Sequence, residues 1–243
     1  MQINKPLKID MFEIGSFWKL HVDLNGYDNP IRKTLATQIA RGRRFEIIQH
    51  EKYLEGQWMK VRLLEDGYKC WILVSEVFGV SVKKGSWKPI LLDSTQIRRR
   101  LPKILSWIEK ASFRSNKYMW GGTIAPDFDC SGLIQAAFSS ENIWLPRDAY
   151  QQEEFCEKVE FDLNTLYGII PGDLIFFGSK EKCNHVAIYK GNGSYWHSSG
   201  ITNGSNGIGI NSFGGKDKIS TFYFSQIRSI GRVNSCHHET SMP

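Results

Sequence analysis

The stretch YMWGGTIAPDFDCSGLIQAAF, residues 118–138, determines the predicted fold of this chain. After Cys130 its apolar residues recur at the spacing of one helix face, so we predict that a helix begins at or just before this cysteine. Free backbone N–H groups and the helix dipole favour an anion there, so we expect the pKa of the thiol to fall. The alternative is a buried small hydrophobe, which the polar neighbours Asp129 and Ser131 disfavour.

The composition is that of an ordinary globular protein. The chain has 243 residues, of which 41% are hydrophobic and 23% charged, enough for one large or two modest domains. The net charge of +6 favours anionic partners only weakly. Its arginine clusters, at residues 41–44 and 98–100, are not interleaved with aromatic residues, so no nucleic-acid partner is expected. No apolar run approaches the length of a membrane span.

The chain has five cysteines, an odd number, which are widely spaced and include no Cys-x-x-Cys pair. This pattern indicates neither a disulfide framework nor a thiolate zinc site. The first 20 residues lack an apolar run of signal-peptide length. We therefore expect a cytoplasmic location, with a periplasmic or cell-wall location as the alternative if the sequence is part of a longer chain.

Turn signals and alternating hydrophobicity predict an all-β region before residue 85. Several short strands within some seventy residues favour a small antiparallel barrel, and we place the domain boundary so that residues 1–85 and 86–243 form separate domains. The predicted strands and turns in the first domain are strands at 17–22, 45–49, 57–64 and 70–74, a turn-rich loop at 25–30, and a hairpin turn at Asp66-Gly67.

The second region mixes helices and strands. A helix capped by Ser94 or Thr95 is predicted to run to about Lys110, or to begin near Leu101 because Pro102 interrupts its apolar stripe. The remaining predicted elements are the Cys130 helix, a short helix within 146–157, and strands at 174–177, 185–189, 195–197, 221–224 and 228–233.

Two histidines complete a candidate catalytic group. The strands 185–189 and 195–197 form a predicted hairpin centred near Gly191, which sets His185 directly opposite His197. A cysteine nucleophile needs a base and a group that orients the base, so we predict Cys130 as nucleophile, His185 as base and His197 as orienting partner. Each histidine could instead be structural. Zinc bound by the three residues is disfavoured because no acidic water-activating motif accompanies them, so no metal or cofactor is expected.

The same residues resemble the NlpC-type cell-wall cysteine peptidase superfamily. The resemblance covers about residues 100–233, and its motifs are Tyr118-x-Trp120-Gly-Gly, Asp129-Cys-Ser-Gly-Leu133, Pro146-Arg-Asp-Ala149, Pro171-Gly-Asp-Leu174 and His185-Val-Ala-Ile-Tyr189. It implies an α+β, papain-like core in which a helix carrying the cysteine packs on an antiparallel sheet carrying the histidine. It also assigns nucleophile, base and third polar residue to Cys130, His185 and His197.

The segment GQWMKVRLLEDGYKCWI, residues 56–72, resembles the bacterial SH3 domain. Such a domain ahead of an NlpC-type core is similar to the γ-D-glutamyl-L-diamino acid endopeptidases. That resemblance implies a pocket for the free amine of an N-terminal L-alanine. The candidate substrate-binding residues are Tyr27, Asp129, Ser131, Arg147, Asp148, Tyr118 and Trp120. Tyr27 could instead be a turn aromatic, and Arg147 and Asp148 could form a structural ion pair.

The resemblance implies a cysteine endopeptidase that acts on peptidoglycan stem peptides. The expected bond joins γ-D-glutamate to diaminopimelate or lysine, and the expected partner is therefore a stem peptide with a free N-terminal L-alanine. Two alternatives use the same scaffold. One is an amidase or lipid acyltransferase, and the other is a wall-peptide binding module that has lost catalysis.

Overall fold

The computed structural model describes residues 11–53, 56–85 and 87–237. These residues form two compact units that divide between Pro89 and Ile90, whereas the sequence placed the division after residue 85. Part of the N-terminal stretch that underlies the expected location lies outside the described residues. Among the residues described, no helix has the length and apolar content needed to cross a membrane.

The first unit is built from seven antiparallel strands. They form one sheet in the order β3-β2-β6-β5-β4-β1-β7, and a one-turn helix follows β6. Alternate residues of these strands face a core of aliphatic and aromatic side chains. The elements are β1 (Phe17–Leu20), β2 (Leu24–Tyr27), β3 (Leu35–Ile39), β4 (Arg44–Tyr53), β5 (Gly56–Leu63), β6 (Lys69–Leu73), α1 (Val74–Val77) and β7 (Ser81–Lys84).

The four predicted strands of this unit are present, but the predicted loop at 25–30 is partly wrong. Residues 25–27 belong to β2, and Tyr27 pairs with Trp71 of β6. The reason is a close approach at Gly26, where a Cβ atom would lie 2.6 Å from the Cys70 Sγ. Asn and Gly are turn signals in a sequence, yet here glycine lets two strands pack closely.

The second unit places helices on both faces of a six-stranded antiparallel sheet. The strand order is β10-β15-β11-β12-β13-β14, and a separate two-stranded sheet joins β8 to β9. The elements are α2 (Ser94–Ser112), β8 (Thr123–Ile124), β9 (Asp127–Phe128), α3 (Cys130–Ser139), α4 (Ala149–Phe155), β10 (Glu157–Lys158), β11 (Leu174–Gly178), β12 (Cys183–Gly191), β13 (Ser194–Ser199), β14 (Gly207–Ser212), α5 (Lys218–Phe224) and β15 (Ile227–Arg232). The α+β class expected from the sequence is confirmed.

Two cores cover the faces of this sheet. On one face α2 and α3 bury apolar residues such as Ile104 and Leu133 against Val186 of β12. On the other face α5 contributes Tyr223 to an aromatic cluster with Phe177. Because successive strand residues point to opposite faces, β12 supplies side chains to both cores.

Helix α2 begins at Ser94, so the alternative start near Leu101, suggested by Pro102, is wrong. Asp93 is its N-cap and forms a capping box with Gln96, so neither Ser94 nor Thr95 caps the helix. Pro102 lies inside the helix. A proline inside a helix costs one backbone hydrogen bond. The burial of Ile97, Ile104 and Ile108, which lie on both sides of Pro102, offsets this cost.

The β12–β13 hairpin has a different register from the predicted one. Ile188 pairs with Trp196 and Tyr189 with Tyr195, so His185 is not directly opposite His197. Continuing this register places Ala187 opposite His197. The turn consists of Asn192 and Gly193, both with positive φ, as a two-residue type I′ turn requires. A bulge between Tyr189 and Gly191 accompanies this change of register by two residues. His185 and His197 are therefore diagonal neighbours on one face of the sheet.

The predicted strand at 221–224 is wrong, because these residues form the end of α5. Its aromatic and β-branched residues favour a strand, but Asp217 accepts hydrogen bonds from the Ile219 and Ser220 amides and caps a helix. The hydroxyl of Ser220 is also buried against β14, where it accepts from the Ser212 amide. Tertiary packing and the cap therefore override the local preference.

Candidate active site

Cys130 is the first residue of α3, as predicted. The helix begins there because the Asp129 carboxylate accepts from the Gly132 amide at 2.6 Å. Gly132 lets the preceding loop cross the helix start, since a Cβ atom at this position would lie 1.9 Å from the carbonyl oxygen of Gly122. The cysteine side chain is 7% exposed, so the helix start holds a nearly buried thiol.

The environment of this thiol disfavours its ionised form. Burial raises the pKa of Cys130 to about 12, and the Asp129 carboxylate acts in the same direction. The backbone N–H groups of Val186 and Ser131 lower the pKa but do not outweigh burial. The expectation that the helix start lowers this pKa is therefore wrong, and at neutral pH the group is a thiol.

His185 and His197 lie together despite their diagonal register. The Nε2 atom of His185 is 2.8 Å from the Nδ1 atom of His197. Burial lowers the pKa of His185 well below its usual range, and the charge of His197 acts in the same direction. Burial also lowers the pKa of His197, to about 4. Both imidazoles are consequently neutral at neutral pH, and the Cys130 side chain is a thiol.

Asn211 is a site residue that sequence reasoning missed. It lies on β14, where its Oδ1 atom is 2.8 Å from the Nε2 atom of His197. Its Nδ2 atom donates to Ser220 at 2.9 Å and faces Asp217 at 3.3 Å. No strand was predicted at residues 207–212, because Gly, Asn and Ser, which are turn signals, are frequent there.

Two tyrosines also lie near the sulfur. Burial raises the pKa of Tyr118, and so does a charge on Cys130. Burial and the charge of Cys130 likewise raise the pKa of Tyr223. Tyr118 was a predicted site residue and Tyr223 was not. Trp120, predicted from the same motif as Tyr118, is 68% exposed, so its ring is available to a ligand in this structure.

Arg147 forms a buried ion pair with Asp129. Its guanidinium donates to the carboxylate at 2.6 Å and to the Ser131 hydroxyl at 3.0 Å, and its exposed fraction is 1%. Asp129 also accepts from the Gly121 amide at 2.9 Å. The structure thus gives the carboxylate several internal donors, and the predicted contact of Asp129 and Ser131 with a substrate amine stays a prediction.

Asp148 has a different place from its neighbour. It forms a capping box with Gln151 at the start of α4, whose first residue is Ala149. Arg147 therefore pairs with Asp129, and Asp148 organises the start of a helix, while their predicted contacts with a substrate stay predictions.

Tyr27 lies in the first unit, where its half-buried ring meets the edge of Trp58 at a centroid distance of 5.7 Å. The ammonium of Lys33 lies 5.9 Å from the centroid of the same tryptophan. The predicted role of Tyr27 in recognising a substrate stays a prediction. Within the described ranges, no group of three or more His, Cys, Asp or Glu residues is arranged to hold a metal ion.

Comparisons with known proteins agree with this architecture. Residues 115–223 match the NlpC/P60 family, and residues 26–77 match the bacterial dipeptidyl-peptidase SH3 domain. The first match contains Cys130, His185, His197 and Asn211, and the second contains Tyr27.

Three curated relatives show the extent of the similarity. The bifunctional muramidase/DL-endopeptidase CwlT of Bacillus subtilis is 37% identical over 51% of this chain and 35% of its own length. The γ-D-glutamyl-L-lysine dipeptidyl-peptidase of the same organism is 35% identical over 36% of this chain and 29% of its own. The murein DD-endopeptidase MepS/murein LD-carboxypeptidase of Escherichia coli K12 is 34% identical over 37% and 45%. The match spans less than half the length of each relative. The chain carries an NlpC/P60 domain preceded by a bacterial dipeptidyl-peptidase SH3 domain.

Proposed function

We propose that this protein is a cysteine endopeptidase that cleaves peptidoglycan stem peptides between γ-D-glutamate and the following diamino acid. The observation that carries this proposal is the pair of buried, hydrogen-bonded imidazoles of His185 and His197 in the same NlpC/P60 domain as the helix-start thiol of Cys130. A relative named γ-D-glutamyl-L-lysine dipeptidyl-peptidase supports the choice of bond.

The mechanism is acyl transfer from the γ-glutamyl group to sulfur. As the Cys130 sulfur attacks the carbonyl carbon, His185 takes the thiol proton and then donates it to the departing amine. Water next attacks the thioester with His185 as base, releases the γ-carboxylate and restores the thiol. The proposed oxyanion donor is the backbone N–H of Cys130, because the first N–H groups of a helix have no partner within the helix.

The neutral resting state shapes the first step. Burial disfavours both the thiolate and the imidazolium, so the proton moves to His185 as the sulfur attacks rather than before the substrate binds. Charge separation in a desolvated site is costly, and the bound carbonyl supplies the developing oxyanion that balances it. His197 acts behind His185, where its ring accepts or donates the 2.8 Å hydrogen bond.

Recognition of a free amine is the second part of the proposal. An ammonium group favours carboxylate and hydroxyl acceptors, and Asp129 and Ser131 flank the nucleophile in sequence. The support is their position beside Cys130 together with the match of residues 26–77 to a dipeptidyl-peptidase SH3 domain.

A peptide assay tests both parts. L-Ala-γ-D-Glu-diaminopimelate is incubated with the wild type, Cys130→Ala and the control Cys156→Ala, whose cysteine is half-buried and outside the site. We expect the wild type and the control to release L-Ala-D-Glu, and Cys130→Ala to release none, as detected by mass spectrometry.

Each other outcome has a defined meaning. No release by the wild type, or equal release by Cys130→Ala, contradicts the peptidase proposal. Cleavage between L-Ala and D-Glu would contradict the proposed bond but not the peptidase activity, and calorimetric binding without cleavage favours a binding module. Equal cleavage of the N-acetylated peptide would remove the amine-recognition part and leave the peptidase part standing.

A further inference from the structure

Helix α5 reaches both imidazoles of the site from one side. Its N-cap Asp217 and its residue Ser220 contact Asn211, which faces His197. Its last turn carries Tyr223, whose ring lies against His185. We propose that Asn211 and Tyr223 are positioning residues, through which α5 fixes the proton positions of both histidines and the ring plane of the base.

The orientation of the Asn211 amide follows from what it faces. The Asp217 carboxylate can only accept hydrogen bonds, so the group that lies 3.3 Å from it is the NH2 of Asn211. The same NH2 donates to the Ser220 hydroxyl at 2.9 Å. That hydroxyl in turn donates to Asp217, whose pKa this hydrogen bond lowers. The carbonyl oxygen of Asn211 is therefore the atom that faces His197.

This orientation determines the tautomers of both rings. Because the Asn211 oxygen only accepts, the Nε2 atom of His197, 2.8 Å away, carries a proton. A neutral His197 then has a bare Nδ1, which accepts the proton on Nε2 of His185 at 2.8 Å. A neutral His185 is left with a bare Nδ1. Because the Asp217 carboxylate only accepts hydrogen bonds, Nδ1 of His185 is the basic atom of the pair.

Tyr223 holds the plane of the base. Its ring stacks on His185 with a centroid distance of 4.6 Å and an interplanar angle of 28°. The same ring meets His197 nearly at right angles, at 4.7 Å and 87°. Tyr223 is 6% exposed, and its hydroxyl hydrogen-bonds to Ser199. An aromatic ring fixed in this way prevents His185 from rotating away from its bond to His197 and excludes water from that face.

The tautomer assignment can be tested without substrate. Long-range 15N–1H NMR spectra of histidine-labelled protein distinguish the two neutral tautomers, and single His185→Gln and His197→Gln variants assign the signals. We expect Nε2–H on both rings in the wild type and a mixture of tautomers at His197 in Asn211→Ala. A wild-type His197 protonated on Nδ1, or an unchanged tautomer in Asn211→Ala, would overturn the proposal.

Kinetics test the consequence, which rests on the proposed peptidase function. We expect Asn211→Ala to lower kcat by about 10–100-fold with little change in KM, as loss of a residue that orients a catalytic group commonly does. Asn211→Asp keeps an acceptor for His197 but replaces the donor that faces Asp217, so we combine it with Asp217→Asn, which supplies an NH2 and still caps α5; this double variant should restore most of the activity. Its added charge beside His197 should move the acid limb of the pH–rate profile upward.

A second pair of variants tests the stack. Tyr223→Phe keeps the ring and should stay close to the wild-type kcat, whereas Tyr223→Leu should lose about tenfold or more. Equal kcat in these two variants would contradict the role of Tyr223, and no rescue by the double variant Asn211→Asp with Asp217→Asn would contradict that of Asn211. Melting temperatures identify variants that fail to fold. If the wild type has no peptidase activity, the proposed function is refuted, but the tautomer assignment is still tested by the NMR spectra.

Discussion

At the residue scale, Cys130 shows that the position and the ionisation of a nucleophile are separate properties. Its position at a helix start follows from the helical spacing after Asp129, and the structure confirms it. Its pKa depends on burial, since the thiol is 7% exposed beside a carboxylate. A local sequence pattern includes the helix dipole but cannot report how much protein covers the sulfur.

The pH dependence of alkylation tests the neutral resting state. Because only a thiolate reacts and the pKa of Cys130 is raised to about 12, labelling of this residue by iodoacetamide should rise about tenfold per pH unit from pH 6 to pH 9. Mass spectrometry of the tryptic peptide measures it, with free N-acetylcysteine as reference. Fast labelling at pH 6 that stays level to pH 8 would instead show a preformed thiolate–imidazolium pair.

At the element scale, strongly periodic or turn-bounded elements could be predicted and cap-dependent ones could not. The predicted Cys130 helix and the strands around His185 are present. Helix α5 was missed because its residues prefer strands, and what determines it is the Asp217 cap together with the contact of Ser220 with Asn211. Asn211 was missed for a different reason: its strand β14 is rich in turn-forming residues, and its partners His197 and Ser220 are close to it only in the folded protein.

The start of α3 depends on Gly132, where an added methyl group would favour the helix but collide with the preceding loop. In an exposed helix interior Gly→Ala stabilises by about 1 kcal/mol, but at Gly132 the new Cβ would lie 1.9 Å from the Gly122 carbonyl oxygen. Gly132→Ala should therefore displace the loop before Cys130, lower the melting temperature and lower activity.

Gly209→Ala is the matched control, because the nearest atom to its new Cβ is the hydroxyl of the flexible Ser205 side chain at 3.0 Å. We expect this variant to stay close to the wild type in differential scanning calorimetry and in the peptide assay. If Gly132→Ala were as stable and as active as Gly209→Ala, close packing of the loop would not be what positions Cys130.

At the scale of the whole molecule, the sequence predicts the division into an all-β unit and an α+β unit, because motif order and strand spacing are properties of long segments. The register of β12 against β13 is different, since it depends on one bulge near Gly191. Despite that shift His185 and His197 remain on one face, because the shift is an even number of residues. The predicted pairing of the histidines was therefore wrong in register, while their proximity is confirmed.

The buried, neutral histidines make the stability of the second unit depend on pH. The pKa of His197 is lowered to about 4 in the folded protein, whereas in the unfolded chain it is about 6.5. Between these values the unfolded state binds more protons, so the free energy of unfolding should fall as the pH falls from about 6.5 towards 4. The contribution of this one group is on the order of 3 kcal/mol, and it is fully present above about pH 6.5.

The comparison of the wild type with His197→Gln isolates this contribution from that of the carboxylates. Urea unfolding, followed by hydrogen-exchange mass spectrometry of peptides from β12 and β13, gives the free energy of unfolding of the second unit at each pH. We expect the wild type to lose stability more steeply than the variant between pH 6.5 and 4, because only the wild type has a histidine at this buried position to protonate on unfolding. Parallel curves would mean that His197 is protonated in the folded site, and the resting state of the base would then be charged.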